Sequence, residues 1–359
     1  MILEDIIKTF REYYKEFPVK ERIGLINPEF PDTFTPSVGA VHLDRILKDE
    51  KQYKKTTKYS IADVCYRDFD ANLVDRDRLS LFEMCAAFEI NNPNSTLEDS
   101  IEKSYKFLTD HLGISKQKLV VTYFCGGRVL NKEVPENNIS KATWEKLGIK
   151  KLVGFKNQNF LLSGNEYAKN TSVIQVAGPR DEIFYELDDG RLIEIGTIQY
   201  LIREISYNAF KPLRISPSPS VAYGPERLAM CLNNSKSIFD INTIKQLKEI
   251  VENKLGEDNY KIGLSQKSIY KIVDHLRAIN FLVADGASFT GDQRGVRLKA
   301  LLSRVVSEAY KLDITDIDFY KDFITKTIEV YKERFPHLIN LEDKKNIILD
   351  RVESKRTTS

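Results

Sequence analysis

The stretch that most constrains this 359-residue chain is IADVCYRDFDANLVDRDRLSLFEMCAAFEI, from Ile61 to Ile90. Ile61 to Tyr66 alternate loosely, Asp68 to Asp77 carry turn residues, and Leu79 to Phe88 return to an apolar run. That order predicts a hairpin of two half-buried strands joined by a charged loop. Such a hairpin brings Arg67, at the end of the first strand, close to Arg76 and Arg78, where the second begins, with Phe82 following. Guanidinium forks beside an aromatic face suit a nucleotide, its phosphates held by arginine and its base by the ring. The ordinary alternative is a surface hairpin whose arginines pair with Asp68, Asp70, Asp75 and Asp77.

The totals bound the remaining choices. An apolar fraction of 42% with 30% charged residues is that of a globular protein with room for a large domain and a smaller one. A net charge of +2 shows no basic excess of the kind that marks a nucleic-acid binder. The N-terminus mixes charges into its apolar residues, unlike a signal peptide, and no segment reaches the roughly 20 apolar residues of a membrane span. Cys65, Cys85, Cys125 and Cys231 show no C-x-x-C spacing and no clustering with histidine, so free thiols, no zinc site and a cytoplasmic location are expected.

Along the chain, helical spacing over residues 2 to 16 predicts an opening amphipathic helix, with a further helix from Ala40 to Lys48. Thr96 to Leu112 reads as a helix that opens on a near capping box, and Ser140 to Leu147 as another carrying the sole tryptophan, Trp144, as a core residue. Strands are expected at Leu119 to Phe124, Lys151 to Phe155, Thr171 to Gln175, Ile183 to Leu187 and Leu192 to Leu201. From Ile241 the spacing is helical to the end, with helices at Ile241 to Leu255, Lys267 to Val283, Val296 to Leu312 and Phe319 to Phe335.

With these elements in place, a family resemblance emerges. Cys65-Tyr66-Arg67, a loop, and Phe82-Glu83-Met84 resemble motif 2 of class II aminoacyl-tRNA synthetases, more narrowly that of alanyl-tRNA synthetase. Further matches follow in order: Phe34-Thr35 and Gly39-Ala40-Val41 resemble motif 1, and Ala177-Gly178-Pro179 through Tyr185 resembles a Gly-Pro segment without its cysteines. Arg191 to Ile195 resembles a Tyr-Ile-Glu-Ile strand, and Val221-Ala222-Tyr223-Gly224-Pro225-Glu226-Arg227 resembles motif 3. Asp274-His275-Leu276-Arg277, Ala284-Asp285-Gly286 and Arg294-Gly295 match the start of the alanyl enzyme's helical tRNA-binding domain.

The resemblance implies an α+β fold: an antiparallel sheet flanked by helices over residues 1–240, then an all-α domain over 241–359. It also implies an AMP-forming ligase that joins a carboxylate to the α-phosphate of ATP and passes the acyl group to an acceptor. An acid is already ionised at neutral pH, so that step needs alignment and positive charge rather than a base. By matching position, Arg67 and Arg227 are the catalytic residues, and Arg67, Arg78, Phe82, Glu194, Gly224 and Arg227 bind ATP. Arg67 takes the α-phosphate, Arg78 the terminal phosphates, and Phe82 and Arg227 opposite faces of the adenine. Glu194 is the candidate for Mg²⁺, since a nucleotide-borne cation takes only one or two protein carboxylates. Left to the residues alone, Glu194 is equally a strand glutamate turned to solvent between inward isoleucines, and Arg227 a partner of Glu226 or Asp240.

The acid pocket departs from the family. Gly196-Thr197 stands where the alanyl enzyme has Trp-Asn, Gln199 where it has valine, Ser220 where an aspartate meets the substrate ammonium, and Ala222 where it has glycine. Met84 completes the candidate pocket. Loss of that aspartate removes a charge-assisted bond of about 1.5–3 kcal/mol, so the expected substrate is another amino or carboxylic acid. The motif 2 loop is short and acidic, and Gly291 replaces the base-pair-reading asparagine, although Arg294, Arg297, Lys299 and Arg304 are available to RNA. The expected acceptor is a small molecule, a carrier protein or a tRNA, in a reaction other than standard alanylation. The alternative is an inactive pseudo-synthetase that binds nucleotide or RNA as a regulator.

Overall fold

A computed structural model describes residues 1–130, 132–156, 173–206, 209–255 and 264–356. Its main sheet has the order β1-β2-β11-β8-β7-β3-β4, with β5 beside β3. These strands are β1 (Thr57–Tyr66), β2 (Leu81–Ile90), β3 (Leu119–Val129), β4 (Lys132–Glu136), β5 (Lys151–Phe155), β7 (Arg180–Glu186), β8 (Leu192–Leu201) and β11 (Ser218–Tyr223). The pairings of β2, β11, β8, β7, β3 and β4 are antiparallel, whereas β5 runs parallel to β3. A small antiparallel sheet joins β6 (Gln175–Ala177), β9 (Arg203–Ser206) and β10 (Ala209–Pro212). The strand expected over 171–175 falls partly outside the described residues.

The chain divides into two compact units that interleave along the sequence. The first comprises Met1–Arg22, Ser37–Asp63 and Glu83–Asn234. One face of its sheet packs on the helices Leu3–Tyr13 and Leu97–Lys106 through an aromatic cluster. Tyr223 of β11 lies 4.7 Å from the Phe107 ring and 6.1 Å from Phe10, and its hydroxyl donates to Ser104 Oγ at 2.8 Å. Leu97–Lys106 begins where the sequence places it: Thr96 Oγ1 accepts the Asp99 N–H at 3.0 Å. Its expected extension to Leu112 is a π-helical turn over Phe107–His111. Trp144, in the helix Asn138–Lys146, is fully buried.

The second unit comprises Ile23–Pro36, Val64–Phe82 and Ser235–Ser359. Its helices are Asn242–Glu252, Leu264–Ala284, Gln293–Tyr310, Ile317–Tyr331 and Leu341–Arg356. Apolar positions such as Phe319, Phe323, Ile324 and Ile328 in the fourth are buried, and the second is buried on all sides from Ile272 to Ala284. The charged hairpin loop forms a short 3-10 helix, Asp68–Leu73, closed by an antiparallel bridge between Asp75 and Arg78.

Candidate functional site

Strand register sets which side chains share a surface. In β11, Ser220 and Ala222 stand opposite Gln199 and Thr197 of β8 on one side, and opposite Phe88 and Ala86 of β2 on the other. Gln199 and Thr197 in turn face Arg180 and Glu182 of β7. Met84, two residues before Ala86, belongs to the same face, and the Ser37 hydroxyl lies 3.8 Å from its sulfur. Five of the six candidate pocket residues, Met84, Thr197, Gln199, Ser220 and Ala222, are therefore gathered on one sheet face. Gly196 is not among them. A Cβ at Gly196 would meet the Tyr223 ring at 2.8 Å, on the helix-packed face, so its small size serves the aromatic core.

The sixth place on the face goes to Glu194. Phe184 pairs with Glu194 but Ile183 pairs with Gly196, so Ile195 is an unpaired bulge residue that offsets the alternation by one. Glu194 consequently shares a side with Thr197, whose hydroxyl donates to Glu194 Oε1 at 3.3 Å. Ile193 and Ile195 are buried, and the Glu194 side chain is 35% exposed, as expected for a strand glutamate turned to solvent between inward isoleucines.

Arg227 meets Glu194 here. Gly224 ends β11 by donating its N–H to the Ile195 carbonyl at 3.1 Å, and Pro225 opens the helix Pro225–Leu232. Arg227, in the first turn, donates from Nη1 to the Glu194 carbonyl at 3.1 Å and to its Oε2 at 3.3 Å. Arg227 thus pairs with Glu194. Glu226 is buried and accepts the Glu83 N–H at 2.7 Å, and Asp240 pairs with Lys248. A Cβ at Gly224 would make ordinary contact with Arg227 at 3.8 Å, so protein sterics do not demand glycine there.

In the second unit, the Arg67 guanidinium lies 4.9 Å from the centre of the Phe82 ring, and its Nε donates to the Pro36 carbonyl at 3.1 Å. Arg78 lies at the outer limit of an ion pair with Asp70, 3.9 Å away, and Arg76 is 3.6 Å from Asp77. The hairpin thus carries an arginine stacked on an aromatic ring as well as the loosely paired charges of a solvated loop. Arg294 and Arg297 are engaged with the chain itself: Arg294 donates to the Asn27, Phe30 and Thr33 carbonyls, and Arg297 to the Asp32 carbonyl and to Asp68.

Sequence reasoning passed over the Arg180–Glu182 pair, 2.7 Å apart on the pocket face beside Gln199. The strand expected from Ile183 begins at Arg180 in the structure, and the i, i+2 spacing of this added stretch places both on one side and Asp181 on the other. Gln199 is 8% exposed, and its Nε2 has no hydrogen-bond partner among the described residues. No group of three or more His, Cys, Asp or Glu residues capable of holding a metal occurs among them either. A single half-exposed carboxylate, Glu194, fits a cation that arrives with phosphate ligands rather than one held in a protein cage.

The ordered motifs, the antiparallel sheet and this face define the class. From residue 5 to residue 357 the chain matches the family model of class II (A) tRNA synthetases, and it belongs to that family. It is 26% identical over 275 residues to an alanine–tRNA ligase of Hydrogenovibrio crunogenus, covering 72% of this chain and 29% of that protein. An alanine–tRNA ligase of Shewanella amazonensis is 29% identical over 266 residues, covering 67% and 28%. The chain thus spans less than a third of the length of these relatives. Among solved structures, S. aureus histidyl-tRNA synthetase aligns over 70% of this chain and 75% of its own, at 12% identity and a TM-score of 0.44. No helix among the described residues is long and apolar enough to cross a membrane.

Proposed function

We propose that the protein is an ATP-dependent ligase that activates an amino acid or related carboxylic acid as its acyl-adenylate, releases pyrophosphate and transfers the acyl group to an acceptor. The observation that carries this reading is the junction of β8 with the helix after β11, where Arg227 holds both the carbonyl and the carboxylate of Glu194. An arginine in a helix's first turn opposes the helix dipole, and its place is better explained by a ligand than by helix stability. The space left by Gly224 beside Arg227 suits the close approach of a base.

In this reading the acid's carboxylate oxygen attacks the α-phosphorus, the bond from that phosphorus to the bridging oxygen breaks, and pyrophosphate leaves. Arg67 stabilises the charge gathering on the α-phosphate and Arg78 neutralises the departing phosphates. Phe82 in the second unit and Arg227 in the first are the residues that the family match assigns to the adenine. Glu194 would hold the Mg²⁺ that accompanies ATP, and the ion would supply charge neutralisation on the phosphates. No proton need move in this step, in keeping with the absence of histidine from the assigned roles. The acid site is the face of Met84, Thr197, Gln199, Ser220 and Ala222. Without the aspartate that the alanyl enzyme places at Ser220, it favours an acid other than alanine, and the acceptor is a small molecule, a carrier protein or a tRNA.

The test is ATP–pyrophosphate exchange with the twenty amino acids and a panel of simple carboxylic acids. Exchange with one acid, abolished by Arg67→Ala, establishes adenylation and names the substrate. ATP binding without exchange for any acid, alone or with candidate acceptors, would favour a regulatory pseudo-synthetase, and failure to bind ATP would sink the ligase reading.

A further inference from the structure

Three helical-segment motifs match a tRNA-binding domain, yet their side chains are occupied elsewhere in the second unit. Asp274 and Arg277, on the helix Leu264–Ala284, are 0% and 2% exposed and so present little surface to an RNA. Asp274 Oδ1 accepts the Ser80 N–H at 2.9 Å, its Oδ2 accepts the Ser80 hydroxyl, and His275 Nδ1 lies 3.0 Å from Oδ2. Arg277 donates from Nη2 to the Leu81 carbonyl and from Nη1 to the Tyr331 hydroxyl at 2.9 Å. Two consecutive backbone units immediately before Phe82 are thereby fixed by buried charged groups. Such groups are costly to bury unless they are hydrogen-bonded, so alternative placements of Ser80 and Leu81 are penalised.

The other arm is held as well. The Arg67 N–H donates to the Ser80 carbonyl at 2.9 Å, so whatever fixes Ser80 also fixes Arg67. Arg294 gathers the loop at residues 23–36 through the carbonyls of Asn27 at 2.5 Å and of Phe30 and Thr33 at 2.7 Å, and Asp285 accepts the Leu25 N–H at 2.7 Å. That loop in turn accepts the Tyr66 N–H at Thr35 O, 3.0 Å, and the Arg67 Nε–H at Pro36 O, 3.1 Å. All three matched motifs therefore converge on the residues that flank the stacked Arg67 and Phe82.

We propose that Asp274 and Arg277 are positioning residues for Arg67 and Phe82, setting the register of the hairpin arms so that guanidinium and ring are held for the nucleotide. This rests on the adenylation reading of that hairpin. It gives the helical segment a role in catalysis that requires no RNA. Because the reaction depends on alignment, a displacement of about 1 Å costs on the order of 100-fold in rate.

The experiment is a double-mutant cycle in ATP–pyrophosphate exchange with the wild type, Asp274→Asn, Arg277→Lys and Ser80→Ala, each alone and combined with Arg67→Lys. The expected result is a fall of about 10- to 100-fold in kcat that exceeds the change in KM for ATP. In the Arg67→Lys background little further loss follows, because the same group is already misplaced. Ser80→Ala removes one donor without leaving a buried charge unpaired, and it carries the cycle if Asp274→Asn does not fold. Losses that multiply fully in the Arg67→Lys background, or folded variants with wild-type kcat, overturn the proposal. A wild type that exchanges with no acid defeats the adenylation reading separately. The same cycle is then read from ATP affinity by calorimetry, where coupling to Arg67 supports positioning, and additivity or an absence of ATP binding overturns it.

Discussion

Asp181 offers a quantitative test of the first unit. It is 1% exposed on β7, its Oδ2 accepts the Ser140 hydroxyl at 2.7 Å and the Trp144 indole N–H at 2.8 Å, and its Oδ1 has no hydrogen-bond partner among the described residues. Burial raises its pKa from the ordinary 3.8 to about 7, opposed by the two donated hydrogen bonds. A folded pKa above the unfolded one means that the stability linked to this group is fully present below about pH 3.8 and is lost as pH rises to about 7. At 1.36 kcal/mol per pH unit, the gap corresponds to about 4 kcal/mol. Asp181→Asn abolishes the titration while keeping an oxygen for Ser140 and Trp144. Its amide nitrogen falls where Oδ1 lacks a partner, a pH-independent cost of about 1–3 kcal/mol. Trp144 is the only tryptophan, so its fluorescence reports urea unfolding at this contact. The stability of wild type relative to Asp181→Asn should fall with a slope of about 1.4 kcal/mol per pH unit between pH 4.5 and 6.5. A difference independent of pH would refute the buried, neutral aspartic acid.

Other perturbations probe separate links. Arg227→Lys keeps the charge but loses the planar fork, and removal of a charge-assisted bond of about 1.5–3 kcal/mol should lower exchange kcat/KM about 10- to 100-fold, measured at saturating acid. Gly39→Ala places a methyl 2.0 Å from the Phe88 ring, which stacks on Tyr59 at 4.8 Å. Overpacking there should cost about 1–3 kcal/mol in urea unfolding, partly restored by Phe88→Leu. Thr96→Ala removes the acceptor of the Asp99 N–H and should cost about 1 kcal/mol in the same assay.

Much of the architecture was legible because its signals are local. Alternation and β-branched runs located β5 and β8 to the residue, and spacing of three and four located the later helices to within a few residues. The π turn after Lys106 was not legible, since helical spacing continues through it while the hydrogen bonding changes. Nor was the division of the chain into interleaved units, because Ile23–Pro36 and Val64–Phe82 join the helical unit through long-range bonds such as those of Arg294 and Asp274. Arg294 and Arg297, two of the four basic residues that read as available to RNA, donate to backbone carbonyls. A carbonyl acceptor leaves no trace in the identity of its residue, so sequence cannot announce it.

The candidate site shows the same division more sharply. Strict period-two alternation puts Glu194, Gly196 and Ile198 on one side of β8 and separates Glu194 from Thr197 and Gln199. The bulge at Ile195 reverses this: it exiles Gly196 to the aromatic core and joins the proposed metal carboxylate to the acid face. One extra residue thus decides which side chains can meet a common substrate. Ile193 and Ile195 are both buried, as plain alternation allows, and the bulge brings residue 196 to their side of the strand as well. Glycine at 196, pressed against Tyr223, makes room for that shift. The Gly-Thr pair, which stands where the alanyl enzyme has Trp-Asn, is therefore two different changes: one accommodates the core behind the sheet, and the other lies on the face proposed for the acid.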